Sequence, residues 1–210
     1  NATHGLNIAI FTLVRPGDTV VISGYEHNAV TRALAAIPNV TVKVAAAPLF
    51  CPEKTLEAFQ AAITSDVSCV ICNHVSNVFG AVCPLDEIGR LLSAAGVPLI
   101  LDASQSAGVL ELDVSRLPCL AAVCMPGHKA LYGPMGTGLL LALDDRLASR
   151  PLMAGGTGSL SESMNQPELL PDALQLRCLF RFLLRRDRPR RQFFPLRPAG
   201  GAGPQMLLQE

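Results

Sequence analysis

Tryptophan is absent from the 210 residues, and only two tyrosines and eight phenylalanines stand in for it. No apolar run approaches the ~18 residues that cross a bilayer as a helix, and no stretch reads as a secretory signal. A membrane role is therefore not expected, and a cytoplasmic location is. Cysteine occurs seven times, but the number is odd and the spacing matches no disulfide framework, so reduced thiols are expected. Cys69-Val70-Ile71-Cys72 has the spelling of a thiol metal site. It falls in a strand-like run, where residues i and i+3 point to opposite faces, and no metal is expected there. The chain opens on Asn1 rather than Met, just ahead of a helical pattern, and reads as a piece of a longer protein. Lysine is scarce too, with three in the whole chain.

What is plentiful is apolar. Half the residues are hydrophobic, enough at this length to bury one good core. The net charge of zero conceals an asymmetry: residues 1–176 carry nine Lys/Arg against fifteen Asp/Glu, whereas residues 177–210 carry eight Arg against two acids. The first part reads as an ordinary acidic globular domain. From about Gln175 the pattern breaks into mixed Arg, Leu and Phe and then a Pro/Gly-rich end. The expected division is a globular domain over 1–174 and an atypical Arg/Pro/Gly-rich tail over 175–210, either disordered or the product of a shifted reading frame. A basic amphipathic segment could meet a membrane surface or nucleic acid, but neither is the expected partner.

Along the first part, strand-like and helix-like patterns alternate. Strands are predicted at Thr19–Ser23, Val40–Ala45, Val67–His74, Pro98–Asp102, Ala121–Met125 and Gly138–Leu143. Helices are predicted over 6–13, with Thr3 as cap, and at Ala29–Ala36, Thr55–Ile63 and Leu85–Ala95. Continuously apolar strands alternating with helices predict an α/β fold, a mainly parallel sheet with helices on both faces. Polar residues gather after the strands: Tyr25-Glu26-His27-Asn28, His74-Val75-Ser76-Asn77, Asp102 with Gln105, and His128-Lys129. Open α/β sheets bind ligands at their carboxyl edge, so the four clusters predict one composite site.

Lys129 sits between a predicted strand and a glycine-rich turn, Gly133-Pro134-Met135-Gly136-Thr137-Gly138. That turn lacks the Lys-Ser/Thr ending of a nucleotide loop. A lone lysine so presented suits condensation with a carbonyl, and a carboxylate such as Asp102 suits a cationic ring nitrogen. Together they point to pyridoxal 5'-phosphate.

Six segments, in order, then carry a family resemblance: Asn1-Ala2-Thr3, Glu26-His27-Asn28, His74 to Gly80, Asp102 to Gly108, Gly127-His128-Lys129 with its glycine turn, and Gly155-Gly156-Thr157-Gly158-Ser159. Over about residues 1–174 the chain resembles the class V aminotransferase-fold enzymes of the cysteine desulfurase group, which use pyridoxal phosphate. The resemblance implies the large domain of a fold-type-I pyridoxal phosphate enzyme, incomplete at both ends. It implies that Lys129 forms the Schiff base with the cofactor, its amine kept neutral by desolvation and a nearby cation. It implies that Asp102 pairs with the pyridine nitrogen, Gln105 and Asn77 with the ring phenolate oxygen, and His128 with the phosphate. Thr3, with the helix-start amides after it, would also meet the phosphate, and His27 would stack on the ring and help move protons. The implied activity is conversion of L-cysteine to alanine plus enzyme-bound sulfur, in a homodimer, with a possible sulfur acceptor protein.

Three departures stand beside the resemblance. Pro126 occupies the position where many members have a hydroxyl. The stretch after Leu174 does not continue the family pattern, and the smaller C-terminal domain has no counterpart here. The alternatives are therefore another class V aminotransferase, lyase or epimerase, or an inactive truncated cofactor-binding fragment. None of the cysteines matches the family's persulfide-bearing loop, and Cys124 is expected to serve strand packing. His74 is expected to be a buried strand-end histidine without a role, as His4 is without one at the first helical turn.

Overall fold

The computed structural model describes residues 1–149. Six strands form one sheet: β1 Thr19–Ser23, β2 Thr41–Ala45, β3 Val67–Asn73, β4 Leu99–Asp102, β5 Leu120–Pro126 and β6 Gly138–Ala142. Their order is β2-β1-β3-β4-β5-β6. All neighbouring pairs are parallel except β5 with β6, which run antiparallel. The helices are α1 Ala2–Leu13, α2 Asn28–Ala35, α3 Pro52–Ala62, α4 Leu85–Ala95 and a short α5 Asp145–Ser149.

Strand alternation sorts the core into two layers. Val20, Ile22, Cys69, Ile71, Ile100 and Cys124 pack with Leu6 and Ile10 of α1, Val30 and Leu34 of α2, and Leu147 of α5. Val21, Val70, Cys72, Leu99, Leu101 and Val123 pack on the opposite face with Phe59 of α3 and Ile88 and Leu92 of α4. Burying each such side chain stabilises the fold by about 1.5–3 kcal/mol. Among the described residues the ion pairs lie at or near the surface and contribute about 0–1 kcal/mol each, so the core dominates. Cys69 belongs to one layer and Cys72 to the other, as their spacing requires.

The sheet matches the expected α/β architecture, and β1 and α4 have the predicted bounds. α4 is defined by buried Leu85, Ile88 and Leu92 at helical spacing, acids in its first turn, and Gly96 beyond its end at φ +68°. Two helices begin earlier than their apolar patterns suggest. α3 starts at Pro52, whose fixed φ suits the first helical position. α1 starts at Ala2, and its cap is Asn1, whose side chain accepts from the His4 N–H. The assignment of Thr3 as cap is thus corrected, since Thr3 already lies inside the helix. Residues Gly155–Ser159 and the 175–210 tail lie outside the described residues.

Candidate active site

β1, β3, β4 and β5 end on the same edge of the sheet, and the residues that follow them enclose a cleft of about 540 Å³. All seven residues singled out from the sequence line it: Thr3, His27, Asn77, Asp102, Gln105, His128 and Lys129. Asn73, Val75, Ser104, Pro126 and Gly136 line it as well. α1 starts at the cleft, with Asn1, Ala2, Thr3 and Leu6 in its wall.

Lys129 follows β5 in a turn closed by the Tyr132 N–H donating to the Lys129 carbonyl at 2.9 Å. The chain then returns into β6, with the Gly127 N–H donating to the Thr137 carbonyl at 2.9 Å and the Gly133 N–H to the Gly127 carbonyl at 2.7 Å. A Cβ at Gly127 would run into the Thr137 Oγ1, so that side chain would have to turn aside. The other two lysines are engaged at the surface, Lys43 with Asp66 at 3.0 Å and Lys54 with Glu57 at 2.7 Å. The Lys129 side chain has no hydrogen bond or ion pair among the described residues, and both it and His128 are exposed.

Asp102 closes β4 and is buried. Its Oδ1 accepts from the Ser104 N–H at 2.9 Å, which starts the turn carrying Gln105. Turn capping is therefore one of its tasks, but Oδ2 has no donor among the described residues. His27 is likewise committed on one side only. It caps α2, its Nδ1 accepting from the Ala29 N–H at 3.1 Å. A neutral ring so bonded carries its proton on Nε2, leaving that nitrogen for the cleft.

At the start of α1 the amides beyond Thr3 are spent. The His4 N–H goes to the Asn1 side chain and the Gly5 N–H to the Asn1 carbonyl. The amides left open are those of Ala2 and Thr3 themselves, where the helix end carries partial positive charge. His74 is buried directly after β3, its Nδ1 without a partner, and burial pushes it below the usual histidine range against the pull of Asp86. Cys124 packs against Gly5 under β5, and burial pushes its thiol up. No described cysteine lines the cleft.

Glu26, half-buried with its Oε2 shut off from water, is a residue that the sequence named without a role. With Ser23 and Asn73 it forms a polar knot at the ends of β1 and β3. Ser23 and Asn73 were signalled only as polar letters inside otherwise apolar strands.

Residues 1–171 match the family model of the class-V aminotransferases. The chain belongs to that family, and its sheet and helices are those of the large domain of fold-type-I pyridoxal phosphate enzymes. It is 33% identical over 167 residues to a probable cysteine desulfurase of Xylella fastidiosa (strain 9a5c), covering 76% of this chain and 39% of that protein. It also resembles two structures of C-DES. One is a variant with glycine covalently linked to the PLP cofactor (26% identity, TM-score 0.61). The other is the cystine C–S lyase with its product cysteine persulfide (27% identity, TM-score 0.61). Each covers 70% of this chain and 40% of that one. The chain thus spans about two fifths of the length of the relatives it matches.

Proposed function

We propose that this domain binds pyridoxal 5'-phosphate in the cleft, covalently through Lys129, and serves a cysteine desulfurase-type reaction on a small amino acid, L-cysteine. The observation that carries the reading is the meeting in one cleft of an unengaged lysine, an unengaged carboxylate oxygen and an open helix start. The residues fit the cofactor. The volume lies in the range of small-molecule sites, roughly 300–1,000 Å³. The open Oδ2 of Asp102 suits a protonated ring nitrogen. The free amides of Ala2 and Thr3, with His128, suit a phosphate. Asn77 and Gln105 supply amide groups for a phenolate oxygen, and His27 offers its ring.

When bound, pyridoxal phosphate supplies an electron sink that stabilises negative charge at a substrate α-carbon. Asp102 holds the compensating carboxylate in place through its Ser104 bond. Lys129 would hold the cofactor and, with its amine free, would carry a proton to or from the substrate α-carbon. His27 exchanges a proton through Nε2 alone, because Nδ1 is committed to α2. The sulfur of L-cysteine would pass to an enzyme thiol other than the described cysteines, none of which lines the cleft, leaving alanine, and from there to an acceptor protein. A homodimer is part of the proposal: Val78 and Phe79 beside Asn77, and Tyr132 and Met135 beside Gly136, are exposed apolar residues flanking the cleft. The C–S lyase among the structural relatives favours, as second reading, a class V lyase that releases sulfur without an enzyme thiol.

Incubating the 210-residue chain with pyridoxal phosphate, L-cysteine and an added thiol tests this. Alanine should accumulate, and none should form with Lys129→Ala. Pyruvate in place of alanine would move the assignment to the lyase, and neither product would leave a cofactor-binding chain without turnover.

A further inference from the structure

The knot at the ends of β1 and β3 contains more oxygen–oxygen contacts than its serine can fill with protons. The Asn73 Nδ2 donates to the Tyr25 carbonyl at 2.8 Å, which fixes the amide so that its Oδ1 faces the Ser23 Oγ at 3.0 Å. The same Oγ lies 2.6 Å from the Glu26 Oε1 and also receives the Tyr25 N–H at 3.2 Å. The Glu26 Oε1 receives the Asn73 N–H at 3.0 Å. Two oxygen–oxygen contacts meet at Ser23, and a serine hydroxyl has one proton. With Glu26 ionised, one contact would hold no proton, and the buried Oε2, which has no donor, would carry unsolvated charge. With a proton on Oε1, Glu26 donates to Ser23 and Ser23 donates to Asn73. Oε2 then becomes a carbonyl oxygen, the least costly group to leave unpartnered.

We propose that Glu26 is held as a neutral acid in the folded chain and is a positioning residue of the cleft, its proton completing a Glu26–Ser23–Asn73 relay that fixes Asn73 in the cleft wall beside Asp102. Asn73 pairs with Asp102 across β3 and β4, so a neutral Glu26 leaves Asp102 without a second carboxylate charge next to it. Such separation of two neighbouring carboxyl groups into one neutral and one charged is a recurrent way of assigning their tasks. The relay is independent of the cofactor; only the role of Asp102 rests on the function proposed above. Burial pushes the Glu26 carboxyl up to about 7, with repulsion from Asp102 adding and the Ser23 and Asn73 bonds opposing. The titratable groups facing it from packed elements are Asp102 on β4 and Cys72 on β3, a thiol raised by its bond to Cys83 and by burial. Tyr25 and His27 flank it on its own segment.

Infrared and NMR titrations of the 210-residue chain without cofactor test this. A carbonyl stretch of a neutral carboxylic acid should titrate with a midpoint at about pH 7, above the range of the other carboxyls, and this component should be missing in Glu26→Gln. The Asn73 side-chain amide resonance should shift with the same midpoint and stay fixed in Glu26→Gln. A band unchanged by Glu26→Gln would overturn the neutral acid, and an Asn73 shift unchanged by it would overturn the positioning role. Because no cofactor is present, a positive titration beside a chain that binds no pyridoxal phosphate would keep the relay and remove the function.

Discussion

Glu26 makes the sign of one pH dependence explicit. Its folded value, about 7, lies above its ordinary 4.5, so between those limits the folded chain holds a proton that the unfolded chain has lost. The stability tied to the neutral form is complete below pH 4.5, declines as pH rises towards about 7, and is then flat. The difference amounts to about 3 kcal/mol across the window. His74 acts with the opposite sign. Its value is lowered by burial, so it adds stability as pH rises towards its ordinary 6.5. Urea unfolding at pH 5 and pH 8 should therefore show a declining contribution in the wild type that Glu26→Gln removes. An identical pH dependence in the two would contradict the burial argument. The sequence displayed Lys129, Asp102 and His27 because each stands at or just after a strand end. It did not display the Glu26 knot, which joins residues about fifty positions apart that only the β1–β3 pairing brings together.

Among the elements, the loop after β5 and the turn after β4 depend on a close approach. Gly108 sits at φ +82°, and a Cβ there would stand 2.7 Å from the Ala130 carbonyl oxygen, one residue beyond Lys129. Gly17 has a similar φ of +88° with open space around it. Both Ala substitutions incur the strain of a left-handed backbone, and only Gly108→Ala also collides with backbone. Thermal unfolding should show Gly108→Ala costing about 2–3 kcal/mol and Gly17→Ala about 1. Equal losses would mean that the approach of the two segments is not tight. Element type was legible in β1, β3, β4 and β5 because buried parallel strands are continuous apolar runs, and in the more exposed edge strands β2 and β6 from their Val and Leu content. The first turns of α1 and α3 were not, because Ala2-Thr3-His4 and Pro52-Glu53-Lys54 show little apolar periodicity, and their starts are set by a cap and a proline.

The whole described domain leaves large apolar side chains in water. Tyr132 is 91% exposed, Met135 84%, Val78 72% and Phe79 50%, all on the two loops that flank the cleft. The homodimer proposed above would place its contact on these side chains. Sedimentation should show concentration-dependent self-association that Phe79→Ser with Met135→Ser weakens, whereas unchanged association would place the contact elsewhere.

The central claim is that Lys129 is the covalent anchor of pyridoxal phosphate. Borohydride reduction of the 210-residue chain after mixing with pyridoxal phosphate, followed by peptide mass spectrometry, tests it most directly. The account predicts a phosphopyridoxyl adduct on the peptide containing Lys129, lost together with the visible absorbance in Lys129→Ala. Labelling spread over Lys43 and Lys54, or persisting unchanged in the variant, would contradict it.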